Sequence, residues 1–239
     1  MRGRYPGAAP DVPARPLPEA GLRALRPIAS RVMARRWDII ERGAHHVPER
    51  GPVIFASNHI GWLDGPLVVG RAPLPAHALT KREAFEGPLG LLLRFTGQIR
   101  VDREANDAGA LRAAAGSLAA GQSVVVFPEA VRGAGDLAVV KPGIGWLALV
   151  SGAPVVPVVL VGTRGPGQHA EARPPRGARL HIVYGRPVTF PAQAWPRPRE
   201  TVDDVTDQIQ QHLRDHLERT VRTESLELPG PLPAEELHG

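Results

Sequence analysis

A histidine and an aspartate five positions apart, His59 and Asp64, stand just beyond the apolar run Val53-Ile54-Phe55-Ala56. The run is β-prone and follows Gly51-Pro52, while Asp64-Gly65-Pro66 has the composition of a helix cap and first turn. The pair therefore falls in the loop between a strand and a helix, where side chains are accessible and the backbone is held. There His59 could act as a general base, with Asp64 accepting a hydrogen bond from the other ring nitrogen and favouring the imidazolium that forms. Taken alone, the same spacing also describes a loop histidine beside an ordinary helix N-cap.

A second group lies downstream. Ser123-Val124-Val125-Val126-Phe127 is bounded by Gly121 and Pro128 and is too short for a helix, which predicts a strand buried on both faces. Glu129 and Arg132 follow directly. A carboxylate and a guanidinium three apart at a strand's end suit a polar headgroup, because Arg pairs with phosphate oxygens and Glu can orient the Arg or accept from a hydroxyl. A local surface ion pair is the plainer account.

The elements that must position these groups read as one α/β domain with a mostly parallel central sheet flanked by helices. At 239 residues and 43% hydrophobic content, the chain can bury one substantial core. It has no cysteine, which excludes disulfides, thiolate metal sites and a cysteine nucleophile. A net charge of +5 and a pI near 10.5 point to phosphate, anionic lipid or nucleic acid. Aromatic residues make up only 5%, too few stacking platforms for a nucleic-acid reader, so no nucleic-acid partner is expected. His45 and His46 read as surface histidines, and neither a metal nor a cofactor is expected.

Taken in order, residues 1–18 are rich in Pro, Arg and Ala without an apolar period and predict a flexible arm. In 19–36, Leu22, Leu25, Ile28 and Val32 recur at helical spacing among arginines, broken or restarted at Pro27. That stripe could lie on an anionic membrane or pack on the core. Residues 37–222 carry alternating strands and helices, among them Ala76–Thr80 leading to Lys81 and a buried strand from Pro154 to Val161. Phe85, Leu89, Leu92, Leu93 and Phe95 could carry an acyl chain, though core is the commoner meaning of such a pattern. Residues 223–239 read as a loose tail. No secretory signal or transmembrane helix is expected; the uncharged stretch 142–163 is interrupted by Pro154, Pro157 and several glycines.

Four blocks together resemble a known family. Asn58-His59-x-x-x-x-Asp64, Gly97-x-Ile99-x-x-x-Arg103, Phe127-Pro128-Glu129-x-x-Arg132 and Val156-Pro157-Val158 are similar, in that order, to glycerolipid acyltransferases of the 1-acylglycerol-3-phosphate O-acyltransferase type. The resemblance extends more loosely from Trp37 to Leu217. It implies an α/β acyltransferase fold and transfer of a fatty acyl group from a coenzyme A or acyl-carrier-protein thioester to a glycerol hydroxyl of a lysophospholipid, in phospholipid biosynthesis. By the same resemblance His59 is the base and Asp64 its partner, while Lys81, Arg103, Glu129 and Arg132 contact the acceptor. A cytoplasmic protein, peripheral on the inner face of an anionic membrane, is the expected setting.

The third block departs from the family pattern Phe-Pro-Glu-Gly-Thr-Arg-Ser: Ala130, Val131 and Gly133 replace the Gly, Thr and Ser. Two hydroxyl donors are lost beside the implied phosphate site, so a glycolipid or other alcohol stays open as acceptor. A peripheral protein that binds anionic lipid without turnover is the alternative from another class. It would give His59 and Asp64 no role.

Overall fold

The computed structural model describes residues 4–102 and 107–236. Among these, seven strands form one sheet: β1 (Asp38–Arg42), β2 (Ile54–Ser57), β3 (Ala76–Lys81), β4 (Ile99–Val101), β5 (Ser123–Val126), β6 (Val155–Val161) and β7 (Arg179–Tyr184). Their order is β1-β7-β6-β2-β5-β3-β4, and every pairing is parallel except β6 with β7. The helices are α1 (Ala20–Arg36), α2 (Asp64–Arg71), α3 (Gly87–Phe95), α4 (Ala108–Ala119), α5 (Gly143–Ser151) and α6 (Arg199–Thr223). This is the expected α/β architecture with a mostly parallel sheet.

The central strands are apolar throughout because both faces are covered. Along β6, Val155, Val159 and Val161 join the core shared with α4, α5 and α6, whereas Val156, Val158 and Leu160 join the opposite core shared with α2. The same alternation runs through β2 and β5: Ile54, Ala56, Val124 and Val126 face one way, Phe55 and Val125 the other. Each such Val, Ile, Leu or Phe side chain contributes about 1.5–3 kcal/mol on burial. The middle of the sheet is therefore its most rigid part, and the loops leaving the C-terminal ends of β2, β3, β5 and β6 inherit that rigidity.

The arm differs from expectation. Residues 5–17 are fastened to the body: the N–H groups of Tyr5 and Arg15 donate to the Ala119 and Gly116 carbonyls at 2.7 and 2.8 Å, and that of Ala9 to Val150 at 3.0 Å. Those acceptors lie in the last turns of α4 and α5, where helical carbonyls run out of intrahelical partners, although Gly116 O also accepts from Ala120 N. Backbone bonding of this kind needs no apolar period, which is why composition misread it. The tail is likewise held, with Leu226 and Leu228 packed against the core.

Helix α1 runs unbroken through Pro27 and divides its apolar residues. Leu22 and Met33 are buried, while Ile28 and Val32 are 56% and 57% exposed. Arg26 docks the helix by donating to the carbonyls of Val69, at 3.1 Å, and Ala72, at the C-terminus of α2. Helix α3 overturns the core reading of its apolar run: Phe85, just before it, is buried, but Leu89, Leu91, Leu92 and Phe95 are exposed. Among the described residues, no helix is long and apolar enough to cross a membrane.

Candidate active site

The site is built where β2 ends. Ladder pairing with β6 stops at Ser57, and the Asn58 side chain continues it: its Nδ2 donates to Leu160 O at 3.0 Å while its Oδ1 accepts from Leu160 N at 2.8 Å. The next residue, His59, thus leaves the sheet from a fixed point.

Asp64 opens α2 but does not cap it. Its Oδ2 accepts from the Ile60 and Gly61 N–H groups, at 2.7 and 2.8 Å, and lies 2.8 Å from His59 Nδ1; its Oδ1 accepts from the Thr163 hydroxyl. All these bonds point back over the loop, so the simple N-cap alternative is excluded. An ionised carboxylate offers only acceptors, which places the shared proton on Nδ1 and leaves Nε2 with a free lone pair. The His59 ring also stacks on Phe127, with centroids 4.3 Å apart. Its side chain keeps 8% exposure, against 0% for Asp64. The imidazole is therefore fixed in tautomer and rotation, with one nitrogen available.

Glu129 lies under the same loop. Its Oε2 accepts from His59 N at 2.7 Å and its Oε1 from Leu137 N at 3.3 Å. Both oxygens thus hold backbone, and Glu129 pairs with the His59 loop instead of with Arg132. Burial pushes its carboxyl up to about 7, and the two N–H donors oppose that rise only in part. The loop after β5 is closed at its neck by Lys141 N donating to Pro128 O at 2.9 Å, and Gly133 N donates to His59 O at 3.0 Å. Within it Gly135 has φ +72°, and a Cβ there would lie 2.2 Å from Ile60 Cγ2, so the two loops can nest only around a glycine.

Lys81 ends β3, and Arg132 leaves the β5 loop beside Gly133. Glu171 joins them: its Oε1 accepts from Arg132 Nη1 and lies 3.8 Å from Lys81 Nζ. His59, Asp64 and Glu129 are thus in direct contact, and Lys81 and Arg132 converge on one carboxylate at the same sheet edge. Arg103 lies outside the described residues. Clefts of about 370 and 440 Å³ lie elsewhere, one lined by Glu19, Arg50 and Gly121 and the other by Arg26, Glu41 and Arg71. Chemistry, not volume, marks the site.

Sequence reasoning missed Thr163 and Arg164. Arg164 is 2% exposed; it donates to Ile60 O and Gly133 O at 2.7 Å each, and to Gln168 O and Gly230 O at 2.9 and 2.6 Å. The available signal was position, since both are polar residues just past the C-terminal end of a buried strand, where α/β sheets place their sites.

The molecule is thus an α/β protein with an aspartate-held histidine at the C-terminal edge of a mostly parallel sheet. The chain belongs to the Acyltransferase family, whose profile matches residues 38–161. It is 34% identical over 128 residues to a 1-acyl-sn-glycerol-3-phosphate acyltransferase of Limnanthes alba, covering 51% of this chain and 44% of that one. To the protein of that name from Borreliella burgdorferi it is 31% identical over 129 residues, covering 52% of each. To the alpha form from Ovis aries it is 35% identical over 126 residues, covering 50% of this chain and 43% of the other. The chain thus spans about half the length of the curated relatives it matches. The crystal structure of the 1-acyl-sn-glycerophosphate acyltransferase PlsC from Thermotoga maritima superposes with a TM-score of 0.57 at 24% identity, covering 81% of this chain and 79% of that one, a likeness of fold.

Proposed function

We propose that this chain transfers a fatty acyl group from a coenzyme A or acyl-carrier-protein thioester to a glycerol hydroxyl of a lysophospholipid, with 1-acylglycerol-3-phosphate the favoured acceptor. The observation that carries this reading is the His59 ring, tied at Nδ1 to Asp64 and free at Nε2. Nε2 takes the hydroxyl proton as the alcohol oxygen attacks the thioester carbonyl carbon. The tetrahedral intermediate collapses with cleavage of the carbon–sulfur bond, and the leaving thiolate recovers the proton from the imidazolium. Ester and free thiol result, with no acyl-enzyme intermediate. Asp64 favours the transient imidazolium and keeps the ring in its working tautomer.

Lys81 and Arg132 are assigned to the acceptor's phosphate, as is Arg103, and Glu129 to holding the backbone of His59. The names of the relatives support the acceptor class. Exposed Ile28, Val32, Leu89, Leu91, Leu92 and Phe95, set among Arg31, Arg35 and Arg94, support a peripheral seat on an anionic membrane, with the protein on its cytoplasmic face.

The test follows free thiol and product mass with acyl-coenzyme A and acyl-carrier-protein donors against 1-acylglycerol-3-phosphate. Thiol release should require the acceptor, and His59→Ala should reduce it by a factor on the order of 10² or more with the fold intact. Full activity in that variant would overturn the assignment.

A further inference from the structure

Glu171 stands on the two cations assigned to the acceptor. A single oxygen, Oε1, accepts from Arg132 Nη1 and lies 3.8 Å from Lys81 Nζ. One anionic oxygen shared by a guanidinium and an ammonium is the arrangement a phosphate oxygen makes. The mimicry is incomplete. Arg132 is only 16% exposed, and its Nε is buried without a hydrogen-bond partner. A carboxylate bound through one oxygen leaves that donor of the fork idle, and a buried unpaired donor is unfavourable. A phosphate monoester brings further oxygens and more charge.

The segment that presents Glu171 is fastened on both sides of it. Upstream, Arg164 ties it to Ile60 and Gly133. Downstream, the Arg173 guanidinium lies 5.1 Å over the Trp62 ring, and Trp37 Nε1 donates to Pro174 O at 3.2 Å. Between these anchors Ala172 N donates to His169 O at 2.9 Å, closing a turn with Glu171 near its crown. The Glu171 side chain is 67% exposed, whereas Arg164 is buried. It can leave the cations by rotating its own torsions while the backbone stays in place. On the carboxylate side its pairing with Arg132 and Lys81 is open to water, which weakens such contacts.

We propose that Glu171 is a specificity-determining residue, an internal anion that occupies the acceptor's phosphate site in the empty protein and is displaced by the incoming phosphomonoester. This inference rests on the acceptor assignment made above. It keeps Lys81 and Arg132 aligned and neutralised until an acceptor arrives. A ligand without anionic charge does not exchange with it and meets a filled site.

The probe is glycerol 3-phosphate, titrated calorimetrically into the full chain and into E171Q, R132A and the double variant. Because Glu171 competes with the probe, E171Q should bind it about two- to fivefold more tightly, the range of an exposed ion pair. That gain should disappear when Arg132 is already alanine. Unchanged or weaker binding in E171Q overturns the proposal, as does the absence of binding in both proteins, because Glu171 is then a permanent part of a site that takes no phosphate. Matched thermal unfolding of E171Q and the parent chain checks that the fold is not the cause. Acyl transfer is measured separately. No turnover by the parent chain together with tighter binding in E171Q would remove the enzymatic reading and leave the internal anion standing. Turnover with no change in binding, or in the KM for 1-acylglycerol-3-phosphate, would remove the internal anion alone.

Discussion

Thr163 donates its hydroxyl to Asp64 Oδ1, the oxygen that His59 does not use. The two residues are brought together from the ends of β6 and β2, neighbours in the sheet. Without Thr163 the carboxylate would keep its three bonds to Oδ2 and could still tilt about them. Thr163→Val preserves shape and removes the donor, leaving a buried carboxylate oxygen unpaired at about 1–3 kcal/mol. The expected result is a fall in kcat of about tenfold with little change in either KM, read from steady-state thiol release. A KM effect without a kcat effect would mean that Thr163 shapes binding instead of steadying the Asp64–His59 pair.

Arg164 is the tie between three chain segments, since its guanidinium spans carbonyls of the β2 loop, the β5 loop and the segment after α6. A planar fork of donors can do this; a single ammonium cannot span the same acceptors. Arg164→Met should therefore strand several buried carbonyls and lower stability by about 3 kcal/mol, and Arg164→Lys should recover little of it. Urea midpoints for the two variants decide the matter. Equal, near-native midpoints would show that water replaces the side chain without loss.

The sheet was legible in the sequence where strands are buried on both faces, because β5 reads as a β-branched run between Gly121 and Pro128 and β6 as an uncharged, valine-rich run between Pro154 and Gly162. The contact between His59 and Asp64 was legible for a related reason: the two residues sit close in sequence on a short, rigid connection. Contacts between distant segments carry no such signature. Thr163 and Arg164 act on residues about a hundred positions earlier, and Glu171 reaches Lys81 from ninety positions away. The N-terminal segment deceived because its attachment runs through backbone N–H groups, which any composition supplies. Helix α3 deceived in the opposite direction, since a helical apolar spacing specifies a face but not what covers it.

Ala130 has φ +63°, in the left-handed region, at the position where the resembled family pattern reads Gly. The turn is nevertheless held, with Ala130 N donating to Phe127 O at 2.9 Å. An L-residue there is strained by roughly 1–2 kcal/mol, and the extra freedom of glycine in the unfolded chain offsets about 0.4–1 kcal/mol of any relief. Ala130→Gly should consequently raise stability by about 0.5–1 kcal/mol, a small upward shift in Tm, while Ala130→Val lowers it. Thermal scans of both variants check the sign. A less stable glycine variant would show that the alanine methyl makes contacts worth more than the strain.

Glu129 should give stability an uncommon dependence on pH. Its carboxyl rises from an ordinary 4.5 to about 7 in the folded protein, burial being the first cause and the nearby charges of Asp136 and Asp64 adding to it. Between those two values the folded chain binds more protons at this position than the unfolded chain does. Its contribution is therefore fully present below about pH 4.5 and is lost as pH rises through about 7, by an amount of about 3 kcal/mol. Other groups titrate in the same range, so the useful quantity is the stability difference between the parent protein and Glu129→Gln, measured by urea unfolding at intervals from pH 5 to 8. That difference should move against the parent as pH rises and level off above about 7.5. Activity should move the other way, because the ionised carboxylate is the better acceptor for the His59 N–H that it holds at 2.7 Å. A stability difference that is flat across the range would mean that Glu129 is solvated enough to titrate normally, and its hold on the His59 backbone would then be correspondingly loose.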